Sequence, residues 1–297
     1  MKLKNQNATD HHIPVMKDEV EKYLNIKAQG TYLDGTIGAG GHAAMILSKN
    51  PNGILIGIDR DAEALKTSRQ RLSASANPII FKKESYHNFS KVFKENNIID
   101  ADGIILDLGL SSMQLNSKNR GFAFKHNGEL DMRFDTQIGR KASQYLDKIS
   151  QLELSNIIYN YSDERFSKKI SKSIKSKLPM SKTFDLVNAI NLVTPPHKRN
   201  KTLARVFQSI RIALNNELDK LNKFLNSFVN SLKIGGRIVI ISYHSTEDRM
   251  VKHAYKKLHF QRKMKIITKK PIMPNIEEQN LNIRSRSAKL RAAERIG

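Results

Sequence analysis

Apolar positions fall into two rhythms along the chain. Four short continuous runs occupy the first third: Thr31–Asp34, Gly53–Asp59, Pro78–Phe81 and Gly103–Leu108. Stretches with helical spacing separate them, at about 41–49, 61–73 and 88–96. Continuous apolar runs alternating with helices predict parallel strands buried on both faces, hence an open, doubly wound α/β sheet. After Leu108 the rhythm changes. A loop rich in Gly, Asn and charge, at about 116–140, precedes helical patterns at 143–160, 163–177, 183–192 and 200–212. Phe166, Ile170, Ile174 and Leu178 form one apolar stripe. Arg165, Lys168, Lys172 and Lys175 fall on another face, either a solvated surface or a contact for RNA. A helical stretch at 215–232, the turn Ile234-Gly235-Gly236 and the run Arg237–Ser242 restore the first rhythm, with strand-like residues at Lys265–Thr268 and Ala288–Ala293. The pattern therefore predicts an α/β domain formed by 1–112 and 213–297, with a helical domain, 113–212, inserted into it.

Composition narrows the chemistry. The 297 residues include no cysteine, which excludes disulfides, iron–sulfur clusters and zinc–thiolate sites. The nine histidines are scattered without an H-E-x-x-H pair, so no metal is expected. No apolar run approaches about 18–20 residues, and the N-terminal MKLKNQNATDHH lacks an apolar core behind its lysines. The expectation is a soluble, cytoplasmic protein without a membrane partner. Charge is uneven. Residues 1–112 carry 14 basic and 13 acidic side chains, 113–212 carry 19 and 8, and 213–297 carry 18 and 7. Compositional drift alone would not spare the first third. A small-ligand site beside a polyanion-binding surface fits the distribution.

The sharpest motif is Leu33-Asp34-Gly35-Thr36-Ile37-Gly38-Ala39-Gly40-Gly41-His42, a strand, a Gly-rich turn and a helix start in that order. Gly38, Gly40 and Ala43 satisfy G-x-G-x-x-A, and Asp59 follows at the distance expected of a ribose ligand, so a dinucleotide is permitted. Asp34 favours a different cofactor. A carboxylate at the end of the first strand suits the ammonium of S-adenosylmethionine, which has no pyrophosphate. Asp107 ends the fourth strand, where ligands of doubly wound sheets sit. His244-Ser245-Thr246-Glu247-Asp248 follows the fifth and reads as a polar strand-end loop, because adjacent residues cannot assemble a hydrolase triad. Asp131, Arg133 and Asp135 alternate in LDMRFD, as in a surface ion-pair loop. Besides a methyltransferase, the residues leave open a nicotinamide-dependent oxidoreductase and a non-catalytic RNA-binding factor.

Taken together, the motifs resemble the RsmH (MraW) family, the bacterial 16S rRNA cytosine-N(4) methyltransferases. The matching blocks include HIPVMKDEV (12–20), DGTIGAGGH (34–42), GIDRD (57–61), DGIILDLGLSSMQL (102–115), RGFAFKHNGELDMRFD (120–135), FQSIRIALNNEL (207–218), GGRIVIISYHSTEDRMVK (235–252) and NIRSRSAKLRAAER (282–295). Thr246 stands where relatives usually carry Leu, and Ser162-Asp163 where they carry Gly-Glu. The resemblance implies a class I S-adenosylmethionine-dependent methyltransferase with an inserted helical substrate-recognition domain. It implies that Gly38, Gly40, Gly41 and His42 contact the cofactor, Asp59 the ribose and Tyr86 the adenine side, with Asp107 and Gln114 completing the pocket. The implied substrate is a cytidine in the decoding centre (P site) of 16S rRNA, within the small ribosomal subunit. Asp107, His244 or a carbonyl near Ser111 would accept a hydrogen of the target amine. Arg133, Lys168 and Lys172, together with Arg284, Arg286, Lys289 and Arg291, would hold RNA phosphates.

Overall fold

The computed structural model describes residues 14–297. The polar N-terminal stretch and the first two residues of the HIPVMKDEV block lie outside the described residues. The chain divides into two units: 14–109 together with 222–297, and 110–221.

The first unit holds one seven-stranded sheet: β1 (Thr31–Asp34), β2 (Ile54–Asp59), β3 (Ile79–Lys83), β4 (Ala101–Asp107), β5 (Leu232–Ser242), β6 (Met264–Ile266) and β7 (Lys289–Arg295). Their order is β3-β2-β1-β4-β5-β7-β6. The first five run parallel, and β7 is antiparallel to both β5 and β6. Helices α1 (Lys17–Leu24), α2 (Gly41–Lys49), α3 (Ala62–Arg71) and α4 (Phe89–Glu95) belong to this unit. Leu55, Ile56, Ile58, Ile104, Ile105 and Leu106 are fully buried, as strands covered on both faces require. Gly57 is bare for a reason: an added Cβ would lie 2.3 Å from Ile37 Cδ1, so the residue after the β1 turn packs into the space.

The second unit is helical: α5 (Ser112–Asn116), α6 (Ala142–Lys148), α7 (Gln151–Ser162), α8 (Ser167–Ser176), α9 (Thr183–Asn191) and α10 (Arg199–Asn215). Leu146, Leu154, Ile158, Ile170, Ile174 and Ile210 sit in its core, and Phe166 and Leu178 pack against that core at the ends of the predicted stripe. Helix α11 (Glu217–Ser227) carries the chain back to the first unit, followed there by α12 (Ser245–Phe260) and α13 (Ile276–Leu281).

Three differences from the sequence pattern have local causes. The helix expected over 143–160 is two helices, because Ser150 accepts the N–H of Glu153 and Glu153 accepts that of Ser150, a capping box that restarts the chain. The turn at Ile234–Gly236 lies inside β5: Ala101 pairs with Leu232 but Gly103 with Arg237, so the intervening residues bulge, with Gly235 at φ 78°. The return to the sheet unit falls at 221/222 rather than 212/213. Arg211 on α10 ties the start of α11 to it, its Nε and Nη2 each donating to the Glu217 carboxylate at 2.8 Å.

Both partners of that pair are buried. Removing the carboxylate breaks a buried ion pair, which costs about 3–5 kcal/mol. Urea denaturation of Glu217→Ala should therefore show stability lower by about 3 kcal/mol or more; an unchanged midpoint would refute the role given to this pair.

Candidate active site

The turn after β1 is held on two sides. Gly35 N–H donates to the Ile105 carbonyl on β4 and Ile37 N–H to the Ile58 carbonyl on β2, each at 3.0 Å. Thr36 N–H donates to Asp34 Oδ1 at 3.1 Å, while Thr36 Oγ1 accepts the N–H of Asp107 at 2.7 Å. Gly38 N–H donates to Asp59 Oδ2 at 2.9 Å. Gly38 and Gly40 sit at φ 51° and 78°, in the left-handed region that glycine enters without penalty. Gly40 N-caps α2, whose first residues are Gly41 and His42.

These ties bring three carboxyls, Asp34, Asp59 and Asp107, to the tips of adjacent strands. Burial pushes Asp34 up to about 8, against the N–H of Thr36 and reinforced by the charges of Asp107 and Asp59. Burial raises Asp59 to about 6, opposed by the N–H groups of Asp61 and Gly38. Asp107 is raised to about 6, again by burial, opposed by a hydrogen bond from Tyr243 and the charge of Arg284. Asp59 also fixes its own neighbourhood, since Oδ1 accepts the N–H of Asp61, the cap of α3.

Tyr243 is the residue the sequence reading missed. Its hydroxyl donates to Asp107 Oδ1 at 2.7 Å. The signal was present in the register: Asp107 pairs with Ile241, which places residue 243 just past the same strand tip. Gly109, at φ 99°, makes the room, because an added Cβ would lie 3.2 Å from the Tyr243 ring. The other carboxylate oxygen, Oδ2, lies 3.8 Å from His42 Nε2. Tyr86 follows β3 and sits against Gly35, where an added Cβ would lie 3.0 Å from the tyrosine Cβ; its ring stands edge-on to Phe224 at 5.6 Å.

Several anticipated residues are used differently. His244 caps α12: Nδ1 accepts the N–H of Glu247 at 3.4 Å, and Nε2 lies 3.2 Å from Glu247 Oε1. Nδ1 thus serves the cap, while Nε2 is buried beside the Glu247 carboxylate without a hydrogen bond. Arg133 closes a bidentate pair on Asp131, at 2.7 and 2.8 Å, and also donates to the Gly139 carbonyl, so it braces its own loop instead of presenting a cation to phosphate. Arg291 is buried on β7 with Nε 2.6 Å from Asp248 Oδ1, and Lys289 Nζ lies 4.0 Å from the same carboxylate. Lys175 donates to the carbonyls of Leu146 and Asp147 and closes the end of α6. Lys168 and Lys172 are exposed on α8. Arg284 stands close enough to Asp107 to lower its proton affinity, and exposed Arg286 donates to the Gln279 carbonyl at 3.2 Å. Gln114 lies in the helical unit, where it closes a capping box with Ser111.

One buried and two half-buried acids stand close together and are stabilised by a ligand that brings positive charge and hydroxyls. The donor set suits the ammonium, sulfonium and ribose of S-adenosylmethionine. It offers no cation to a pyrophosphate at the Asp34 end of the turn. The antiparallel β7 between β5 and β6 also departs from the 3-2-1-4-5-6 dinucleotide-binding order. Fold and site together define a class I S-adenosylmethionine-dependent methyltransferase. The sequence pattern of the MraW methylase family matches residues 9–296, and the chain belongs to that family. Similar proteins named ribosomal RNA small subunit methyltransferase H occur in Thermotoga neapolitana (43% identity, 97% of each chain), Thermosipho africanus (43%, 97% of this chain and 98% of the other) and Acaryochloris marina (41%, 96% and 95%).

The raised carboxyls make stability depend on pH. An aspartate ordinarily titrates near 4. The folded chain therefore holds extra protons between about pH 4 and the raised values, and the stability they confer falls as pH rises through 6 and then 8. Thermal unfolding of cofactor-free protein should show a falling midpoint from pH 5 to 8. Asp34→Asn should flatten the fall above pH 7; a curve parallel to the parent would remove Asp34 as its source.

Proposed function

We propose that the protein methylates the exocyclic N4 of a cytidine in the decoding centre (P site) of 16S rRNA, acting in the cytoplasm on the small ribosomal subunit. The observation that carries this reading is the similarity over 97% of the chain to proteins named for small-subunit rRNA methylation, which takes in both units. The net positive charge of +23 agrees with a polyanionic substrate.

Bound at the strand tips, S-adenosylmethionine supplies an electrophilic methyl group. Asp34 would hold its ammonium, Asp59 its ribose diol and Tyr86 its adenine side, with the Gly38–His42 turn against it. A cytosine amine is a weak nucleophile because its lone pair is delocalised into the ring. The protein's task is to orient that nitrogen and favour the positive charge it develops. Asp107 is suited to both: it accepts a hydrogen from the amine and can receive the proton that the nitrogen releases once the new N–C bond forms. Tyr243 occupies Oδ1 and leaves Oδ2 as the available acceptor. The target base must leave its stack to reach such a site. Exposed Lys168 and Lys172 on α8, with Arg284 and Arg286 in the 283–287 turn, would contact phosphates.

Labelled S-adenosylmethionine, incubated with the protein and small subunits from cells lacking it, should place label in 4-amino-methylated cytidine after digestion to nucleosides. Label in another nucleoside would overturn the target atom. Absence of label despite cofactor binding would overturn the substrate. Tyr243→Phe should move the acid limb of the single-turnover pH profile to higher pH, because losing the phenol raises the proton affinity of Asp107. An unmoved limb would show that Tyr243 does not tune this carboxylate.

A further inference from the structure

Helix α12 leaves the site at His244 and runs outward to Phe260. Its inner side buries Glu247, Val251, Tyr255 and Leu258. The opposite side carries Arg249, Lys252, His253, Lys256, Lys257 and Phe260, all exposed. At 100° per residue these six fall within an arc of about 140°. No acid interrupts them. The two acids of the helix are turned away: Glu247 is buried in the N-terminal cap and Asp248 is held by Arg291.

Other helices of the same unit differ. On α1 the exposed residues are Lys17, Asp18 and Lys22; on α3 Glu63 stands about one turn before Lys66 and two before Arg69; on α4 Lys91 lies 3.9 Å from Glu95. Lysine-rich composition alone would give mixed faces like these. Lys263 just before β6 and Lys265 within it have a separate explanation, since cations discourage pairing at an edge strand. That explanation does not reach a helix. Phe260 is 82% exposed at the end of the stripe, so its ring is open to a flat partner whose contact would bury apolar surface.

We propose that this face of α12 is an RNA-binding surface, with Arg249, Lys252, Lys256 and Lys257 against consecutive phosphates and Phe260 stacked on an unpaired base. The partner follows from complementarity: a polyanion for the acid-free stripe, and an aromatic face beside it for the phenyl ring. The stripe spans roughly 16 Å from Arg249 to Phe260 at 1.5 Å per residue, enough for several phosphates of one strand. The inference rests on the rRNA reading above and extends it to a helix that begins at the catalytic strand tips. The helix start is thereby coupled to the site through the cap, while its far end grips the substrate.

The test is the triple variant Lys252→Glu, Lys256→Glu, Lys257→Glu, alongside Phe260→Ala. Fluorescence anisotropy with a small-subunit rRNA fragment is read across a salt series, with calorimetric cofactor titration and circular dichroism for each protein. The triple variant should bind RNA at least tenfold more weakly, with the slope of log K on log salt reduced by about two. Cofactor affinity and helix content should stay as in the parent, and the KM for RNA should rise at constant kcat. Phe260→Ala should weaken binding several-fold without changing the slope. A parent that binds and methylates, with a triple variant of equal affinity and slope, overturns this surface alone. A parent that neither binds nor methylates small-subunit RNA overturns the substrate reading and this proposal with it.

Discussion

Everything at the site depends on one short turn being tied to strands on both sides. Residues 34–38 reach β2 through Ile37 and Gly38 and β4 through Gly35 and Thr36. The bonds are ordinary ones, each worth about 1 kcal/mol net. Their effect is positional. They set buried Asp34 and half-buried Asp59 and Asp107 at neighbouring strand tips, against mutual repulsion that partial burial strengthens. Sheet packing and the retained protons offset that repulsion, so a cationic ligand finds the carboxyl groups already in place.

Much of this was legible in the sequence because it rests on short-range pattern. Continuous apolar runs gave β1 to β4 to within a few residues, and strand-end acids in a doubly wound sheet must gather at one edge. What escaped the sequence depends on register or on side-chain direction. Tyr243 meets Asp107 through the pairing of β4 with β5, which no spacing displays. His244, Arg133 and Arg291 carry the right chemical groups but spend them on a cap, a loop brace and a buried ion pair. A basic residue type says what a side chain can bind; only its neighbours say whether it is already bound. The capping box at Ser150 and Glu153 was readable by rule, yet the apolar rhythm on either side obscured it.

The charge of the protein divides along the same line. In the sheet unit, cations next to acids at α1, α3 and α4 largely cancel. On α12 the acids are drawn inward by His244 and Arg291, which leaves the outward cations without counterparts. Excess charge on a face is thus produced by where the few acids are held as much as by how many lysines there are.

The order of strands in the sheet also bears on how the chain can be made. β4 and β5 are neighbours, yet the whole helical unit is synthesised between them. β7 separates β5 from β6 although it is the last strand of the chain. Residues 110–221 are contiguous and can close their own core while translation continues. The sheet cannot: β1 to β4 must wait for β5 with an open parallel edge at β4, and β6 emerges before the strand that will receive it. The sheet is therefore completed only once β7 has been made, after the contiguous helical unit has had time to close its own core.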